Sequence, residues 1–175
     1  MAWDLNLRLA NNLDVSADVD GSWVHVNDVP TGAFTPQSGT MLIADWARSG
    51  LVEFRLWIRG TALGGDVDPT RVDLVADIEE ADDDSGTNAR PVCRFRMGSG
   101  TADASPSGYA YTKTADATED AQFAAVGVVV KEYIRVTFDV TLTGGTNPTV
   151  EFTDVTVYAR GLGMELETIP AAVNQ

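Results

Sequence analysis

Ile134, Val136, Phe138, Val140 and Leu142 fall on every second position, with Tyr133, Arg135, Thr137, Asp139 and Thr141 between them. Side chains alternate sides only in an extended strand, so this segment has one buried and one outward face. The run ends in Thr143-Gly144-Gly145-Thr146-Asn147-Pro148, where glycine admits positive φ and proline cannot continue a ladder. The following strand starts with Val150 and Phe152 inward and goes on with Val155, Val157 and Ala159. Its apolar register slips by one residue at Thr153 and Asp154, the mark of a β-bulge. The expected unit over 133–161 is a long hairpin.

The same period recurs along the chain. Val52, Phe54, Leu56 and Ile58 alternate with Glu53, Arg55, Trp57 and Arg59; Val72, Leu74, Ala76 and Ile78 define a further strand from Arg71; Cys93, Phe95 and Met97 define one from Pro91. Shorter candidates are Leu5 to Leu9, Leu13 to Ala17, Ser22 to Val26, Met41 to Trp46 and Tyr109 to Thr112. Between them stand turn-forming clusters such as GTALGGDVDPT, DDDSGTNARP and GSGTADASPSG. Many short strands with such punctuation predict an all-β fold, a sandwich or a barrel, with at most one short helix, in ADATEDAQFAAVG, where Asp116 or Thr118 would cap. The expected organisation is an N-terminal arm over 1–12, a sandwich domain over 13–163 and a C-terminal tail over 164–175. The core is expected to contain Phe54, Leu56, Ile58, Leu74, Phe95, Ile134, Val136, Phe138 and Val140.

The chain has 175 residues, enough for one domain with a sizeable core, and a net charge of -14 from 26 acidic and 12 basic residues. That field repels phosphate backbones and anionic lipid, so nucleic acid and membrane are not expected partners. No apolar run is long enough to span a bilayer, and Asp4, Asn6 and Arg8 interrupt any leader-like apolar start; a soluble protein without a secretion signal is expected. The lone Cys93 has no disulfide partner within the chain, and a buried, inert thiol is expected.

Catalytic and cofactor chemistry finds little support. His25 is the only histidine, which leaves no His/Cys metal set and no nucleophile–base pair. Ser16, Asp18, Asp20 and Gly21 match the start of a calcium loop, but its twelfth position is Asn27, and DIEEADDDSG reads as a solvated charge run. No metal, cofactor or catalytic residue is therefore assigned. What remains is surface. Ten of the twelve basic residues are arginine, and Arg55, Arg59, Arg94, Arg96 and Arg135 stand with Trp57 at outward positions of their strands, a composition suited to protein contact.

EYIRVTFDVT followed by GGTNPTVEF resembles the C-terminal strands of capsid cement, or decoration, proteins of tailed bacteriophages, and VDLVADIEEADDD is similar to a mid-chain strand and acidic loop of the same family. The resemblance implies a jelly-roll-like antiparallel β-sandwich and a non-enzymatic structural protein of the virion. Proteins of that family are usually trimeric, so a homotrimer is expected, bound to the major capsid protein on the outside of the head and stabilising the shell. The segment up to about Trp46 has no counterpart in that family. A tail or baseplate component is one alternative. A carbohydrate-binding β-sandwich is the other, with Trp23, Trp46, Trp57, Tyr109 and Tyr111 as candidate sugar platforms.

Overall fold

In the computed structural model, which describes residues 8–25, 51–98, 108–118 and 120–161, the alternating segments are strands. In chain order they are β1 (Arg8–Val15), β2 (Val19–Asp20), β3 (Val24–His25), β4 (Leu51–Ile58), β5 (Gly60–Gly64), β6 (Arg71–Ala81), β7 (Arg90–Arg94), β8 (Tyr111–Lys113), β9 (Ala121–Val128), β10 (Tyr133–Thr143) and β11 (Thr149–Gly161). Sheet A has the order β1-β11-β4-β9, with β5 prolonging β4 along β11. Sheet B has the order β2-β10-β6-β7; β3 prolongs β2 along β10, and β8 prolongs β7 along β6. All pairings are antiparallel, and successive strand lines alternate between the sheets except at the β6–β7 turn. This is the strand order of a jelly roll. Residues 8–12, expected as part of an arm, run in β1 against β11. The Met41 to Trp46 candidate, residues 1–7 and the tail over 164–175 lie outside the described residues.

The expected hairpin over 133–161 does not form. β10 pairs with β6, β2 and β3 in sheet B, whereas β11 pairs with β1, β4 and β5 in sheet A, so the two strands face each other across the core. One alternating strand records which side is buried, not which strand lies beside it, and a pair joined through the core carries the same pattern as a pair joined edge to edge. The connecting turn is shaped by this crossing. Thr146 exchanges backbone hydrogen bonds with Val67 at 3.0 and 3.1 Å, and Thr70 N donates to Thr143 O at 2.9 Å, so the turn zips onto the 65–70 connection, which crosses the same way. Gly144 and Gly145 hold φ of 73° and 81°, and a Cβ on Gly145 would lie 2.6 Å from Val67 O.

The expected helix is also absent: residues 121–128 are β9, an edge strand of sheet A whose odd positions lean inward. The β-branched run Val128-Val129-Val130 and the close approach of Gly127 to Val92 favour a strand over the helix that the alanines and acids imitate. Asp116 caps nothing helical; its carboxylate accepts from Leu63 N at 2.8 Å.

The expected bulge is present. Between Leu13↔Val155 and Val15↔Phe152, β11 advances one residue more than β1, and Asp154 sits in the left-handed region at φ 51°. Its neighbour breaks at the same height: β4 ends at Ile58, Arg59 N donates to Thr153 O at 3.1 Å, and β5 resumes at Gly60. β1 carries its own extra residue, Asn12, at φ 50°.

Between the sheets Phe54, Phe95, Phe138, Phe152, Leu56, Ile58, Leu74, Ile78 and Ile134 are fully buried, and Val140 packs half-buried at the margin. The side chain of a charged residue also lies between the sheets. Glu80 of β6 is 0% exposed and accepts from Arg90 Nε at 2.6 Å, Val130 N at 2.7 Å and Lys131 N at 3.0 Å. It thereby ties sheet B to the segment through which the chain returns from sheet A. Phe138→Ala is expected to destabilise the fold by about 3–5 kcal/mol in denaturant titration, the range for emptying a packed aromatic site. Glu80→Ala leaves two backbone donors and Arg90 without their acceptor, and a loss of about 3–5 kcal/mol is expected in the same measurement.

Candidate functional site

The three irregular positions meet on the outer face of sheet A. Asn12, Trp57, Ile58, Arg59, Asp120, Gln122, Asp154, Thr156 and Tyr158 line a groove of about 300 Å3. Each polar group arrives there for a local reason. Asn12 and Asp154 are the left-handed residues of facing bulges, which re-aim side chains that a regular pleat would direct elsewhere. Trp57 and Gln122 are paired neighbours across β4 and β9. Trp57 is 37% exposed and meets Tyr158 edge to face, with ring centroids 5.1 Å apart.

Hydrogen bonds fix the floor and one wall. Thr156 Oγ1 accepts from Asn12 N at 3.0 Å and donates to Asn12 Oδ1 at 3.3 Å, while Asp154 N donates to Asp14 Oδ1 at 3.2 Å. Arg59 Nη1 donates to Asp154 Oδ2 at 3.2 Å, and this ion pair forms a rib between the groove and a second hollow of about 350 Å3. The second hollow is lined in part by Thr61, Asp116, Thr118 and Thr153, and Thr61 Oγ1 is buried there without a hydrogen-bond partner among the described residues.

The six residues expected at an interface do not form one surface. Trp57, Arg55 and Arg59 belong to sheet A, where Arg55 Nε lies 3.0 Å from Glu53 Oε1. Arg94 and Arg135 belong to the opposite face, on sheet B, and both are engaged within the chain: Arg94 Nε with Asp77 at 2.6 Å, Arg135 with Glu79 at 2.8 Å. Arg96 stands exposed beyond β7. The expected sugar platforms are likewise dispersed. Trp57 lines the groove; the Arg135 guanidinium lies 4.5 Å from the Trp23 ring centre; Tyr109 is exposed near Arg94. Tyr111 is a correction: it is buried in the core beside Phe123 and Phe152, because β8 turns that residue inward. Trp46 lies outside the described residues. Asn12, Asp120, Gln122, Thr156 and Tyr158 carry no signal in the sequence; of the groove residues, Trp57 and Arg59 stand out as outward strand positions and Asp154 as the register slip.

The acidic segments serve their own backbone. Asp83 Oδ1 accepts from Thr87 N at 2.9 Å, Ser85 Oγ at 2.7 Å and Ser85 N at 3.1 Å, and hydrogen bonds from Thr87 first and Ser85 second hold its carboxyl well below the usual range. Asp82 binds Lys131 and Asn88, and Asp18 Oδ1 accepts from Val140 N at 2.7 Å. Among the described residues no group of three or more His, Cys, Asp or Glu is placed to hold a metal ion. Cys93 is half-buried, and burial, helped by Asp77, pushes its thiol up to about 12.

By sequence, no protein-family model and no curated protein matches the chain. Among solved structures, one similar to it is the Clostridium thermocellum endo-1,4-beta-D-xylanase 10B, CBM22-1–GH10 modules complexed with xylohexaose. The identity is 10%, the TM-score 0.34, and the alignment covers 96% of this chain and 30% of that one. A likeness of this size assigns no function.

On sheet B, burial, then the nearby Asp18 and Asp77, raise the Asp139 carboxyl above its ordinary value, with Arg94 opposing and Asp20 adding to the rise. The folded state therefore holds this proton more tightly than the unfolded chain, and stability falls as pH rises through the interval between the two pKa values. Asp139→Asn is expected to melt above wild type at neutral pH. Thermal scans across pH should show that advantage vanish below the ordinary carboxylate range, where wild-type Asp139 is protonated.

Proposed function

We propose that the protein is a non-catalytic binding protein whose sheet A groove takes a hydroxyl-rich, uncharged ligand, a carbohydrate. The observation that carries this reading is the delivery of Asn12 and Asp154, by two facing left-handed bulges, to the side of a partly exposed Trp57. A sugar ring offers an apolar C–H face that an indole covers, and a rim of hydroxyls that need planar acceptors and donors. Asp120, Asp154, Asn12, Gln122 and Arg59 supply both. An apolar ligand would take those polar groups out of water without offering them hydrogen bonds, and the net charge of -14 with two carboxylates in the groove disfavours phosphates.

Isothermal titration calorimetry against a panel of neutral oligosaccharides tests the reading. A member of the panel should bind without being cleaved, and Trp57→Ala should weaken it at least about tenfold, about 1.4 kcal/mol, with an unchanged circular dichroism spectrum. Hydrolysis products would overturn the non-catalytic assignment. If no saccharide binds and undecorated phage shells do, the virion reading replaces this one, with the major capsid protein as partner and a homotrimer as the assembly implied by the C-terminal motif.

A further inference from the structure

Among the described residues the jelly roll leaves four edges, and three of them are blunted. β1 is broken by bulges; β2 and β3 are two residues each, next to Asp18 and Asp20; β7 carries Arg90, Pro91 and Arg94, and β8 is three residues ending in Lys113. Short strands, bulges, charges and proline are the devices that stop an edge from pairing with another chain. β9 has none of them. It holds an unbroken register with β4 from Leu51↔Val128 to Ile58↔Ala121, and it is paired on that side alone among the described residues. From Ala121 to Val130 the sequence contains no charged residue and no proline. Its outward side chains are apolar at one end: Val126, Val128 and Val130 are 53, 54 and 59% exposed, beside Leu51 at 41%.

We infer that β9 is the contact through which two copies of this chain associate, by antiparallel pairing of the two β9 strands about a two-fold axis. Charge selects the occupant. A partner of opposite charge would be recognised through the carboxylates that cover this protein, not through an uncharged strand. Two copies that each carry -14 repel one another least where neither presents a charge. The two-fold is self-complementary, because each edge supplies the donors and acceptors that the other lacks. An axis near Ala125 sets Ala124 against Val126 and Gln122 against Val128 across the seam, joining the two A sheets into one. Burial of the valines then supplies the apolar driving force.

Sedimentation equilibrium on the full chain tests this directly. The wild type should be a dimer in reversible exchange with monomer, and Val126→Lys and Val128→Lys should each raise the dissociation constant at least about tenfold, while the melting temperature, scanned at concentrations low enough that both are monomeric, holds. Either lysine lowers the net negative charge, so weaker association cannot come from greater repulsion. Thr141→Lys, on the exposed face of sheet B, serves as the control and should leave the dimer intact. If one β9 variant fails to fold, the other carries the comparison. Three results would overturn the inference: a monomer at every concentration, a dimer untouched by the folded β9 variant, or a trimer, since a three-fold axis cannot pair one antiparallel edge with itself.

Discussion

The slip of β11 at Thr153 and Asp154 is the constraint on which the rest of sheet A depends. β11 has to keep one apolar face against the core for 13 residues while running first beside β5 and then beside β4. A regular pleat with this sequence would turn Val155, Val157 and Ala159 outward. Placing Asp154 at φ 51° restores them, and all three are 0–1% exposed. A left-handed aspartate is strained by roughly 1–3 kcal/mol, and burial of three apolar side chains exceeds that cost. The break at Arg59 and the extra residue at Asn12 are the responses of the two neighbouring strands.

The groove follows from the same repair. Where three strands are irregular at one height, the pleat no longer fixes side-chain direction, and polar groups from β1 and β11 converge beside Trp57 of β4. The core and the candidate site are thus two faces of one local distortion. The Arg59–Asp154 pair, 3.2 Å long and well exposed, adds little stability by itself. Its position between the two hollows matters more than its energy.

The strands and their buried faces were legible because a period of two is written residue by residue. Eight of the nine expected core residues are fully or almost fully buried, and Val140 misses because β10 runs past the edge of the core there. Partners were not legible. The 133–161 pair was read as a hairpin because Gly144-Gly145 and Pro148 mark a turn without saying whether the chain returns beside itself or across the sandwich. Ala-rich β9 has the composition of a helix, and local propensity is a weak prior against sheet context. In the groove, Trp57 and Asp154 were visible, one as an outward aromatic and one as a register slip. Asn12, Asp120 and Gln122 were not, since nothing local reports that distant strands bring them together. The arginines show the converse: outward positions were assigned correctly from alternation, but Arg94 and Arg135 are satisfied by acids on the neighbouring strand, which alternation alone does not reveal.

Heteronuclear NMR shift mapping during titration with neutral oligosaccharides tests the carbohydrate site proposed for sheet A. Saturable shifts are expected at the Trp57 indole, the Asn12 and Gln122 side-chain amides and the Asp154 backbone amide, with sheet B unmoved. Shifts confined to sheet B, or none at saturating sugar, would contradict it.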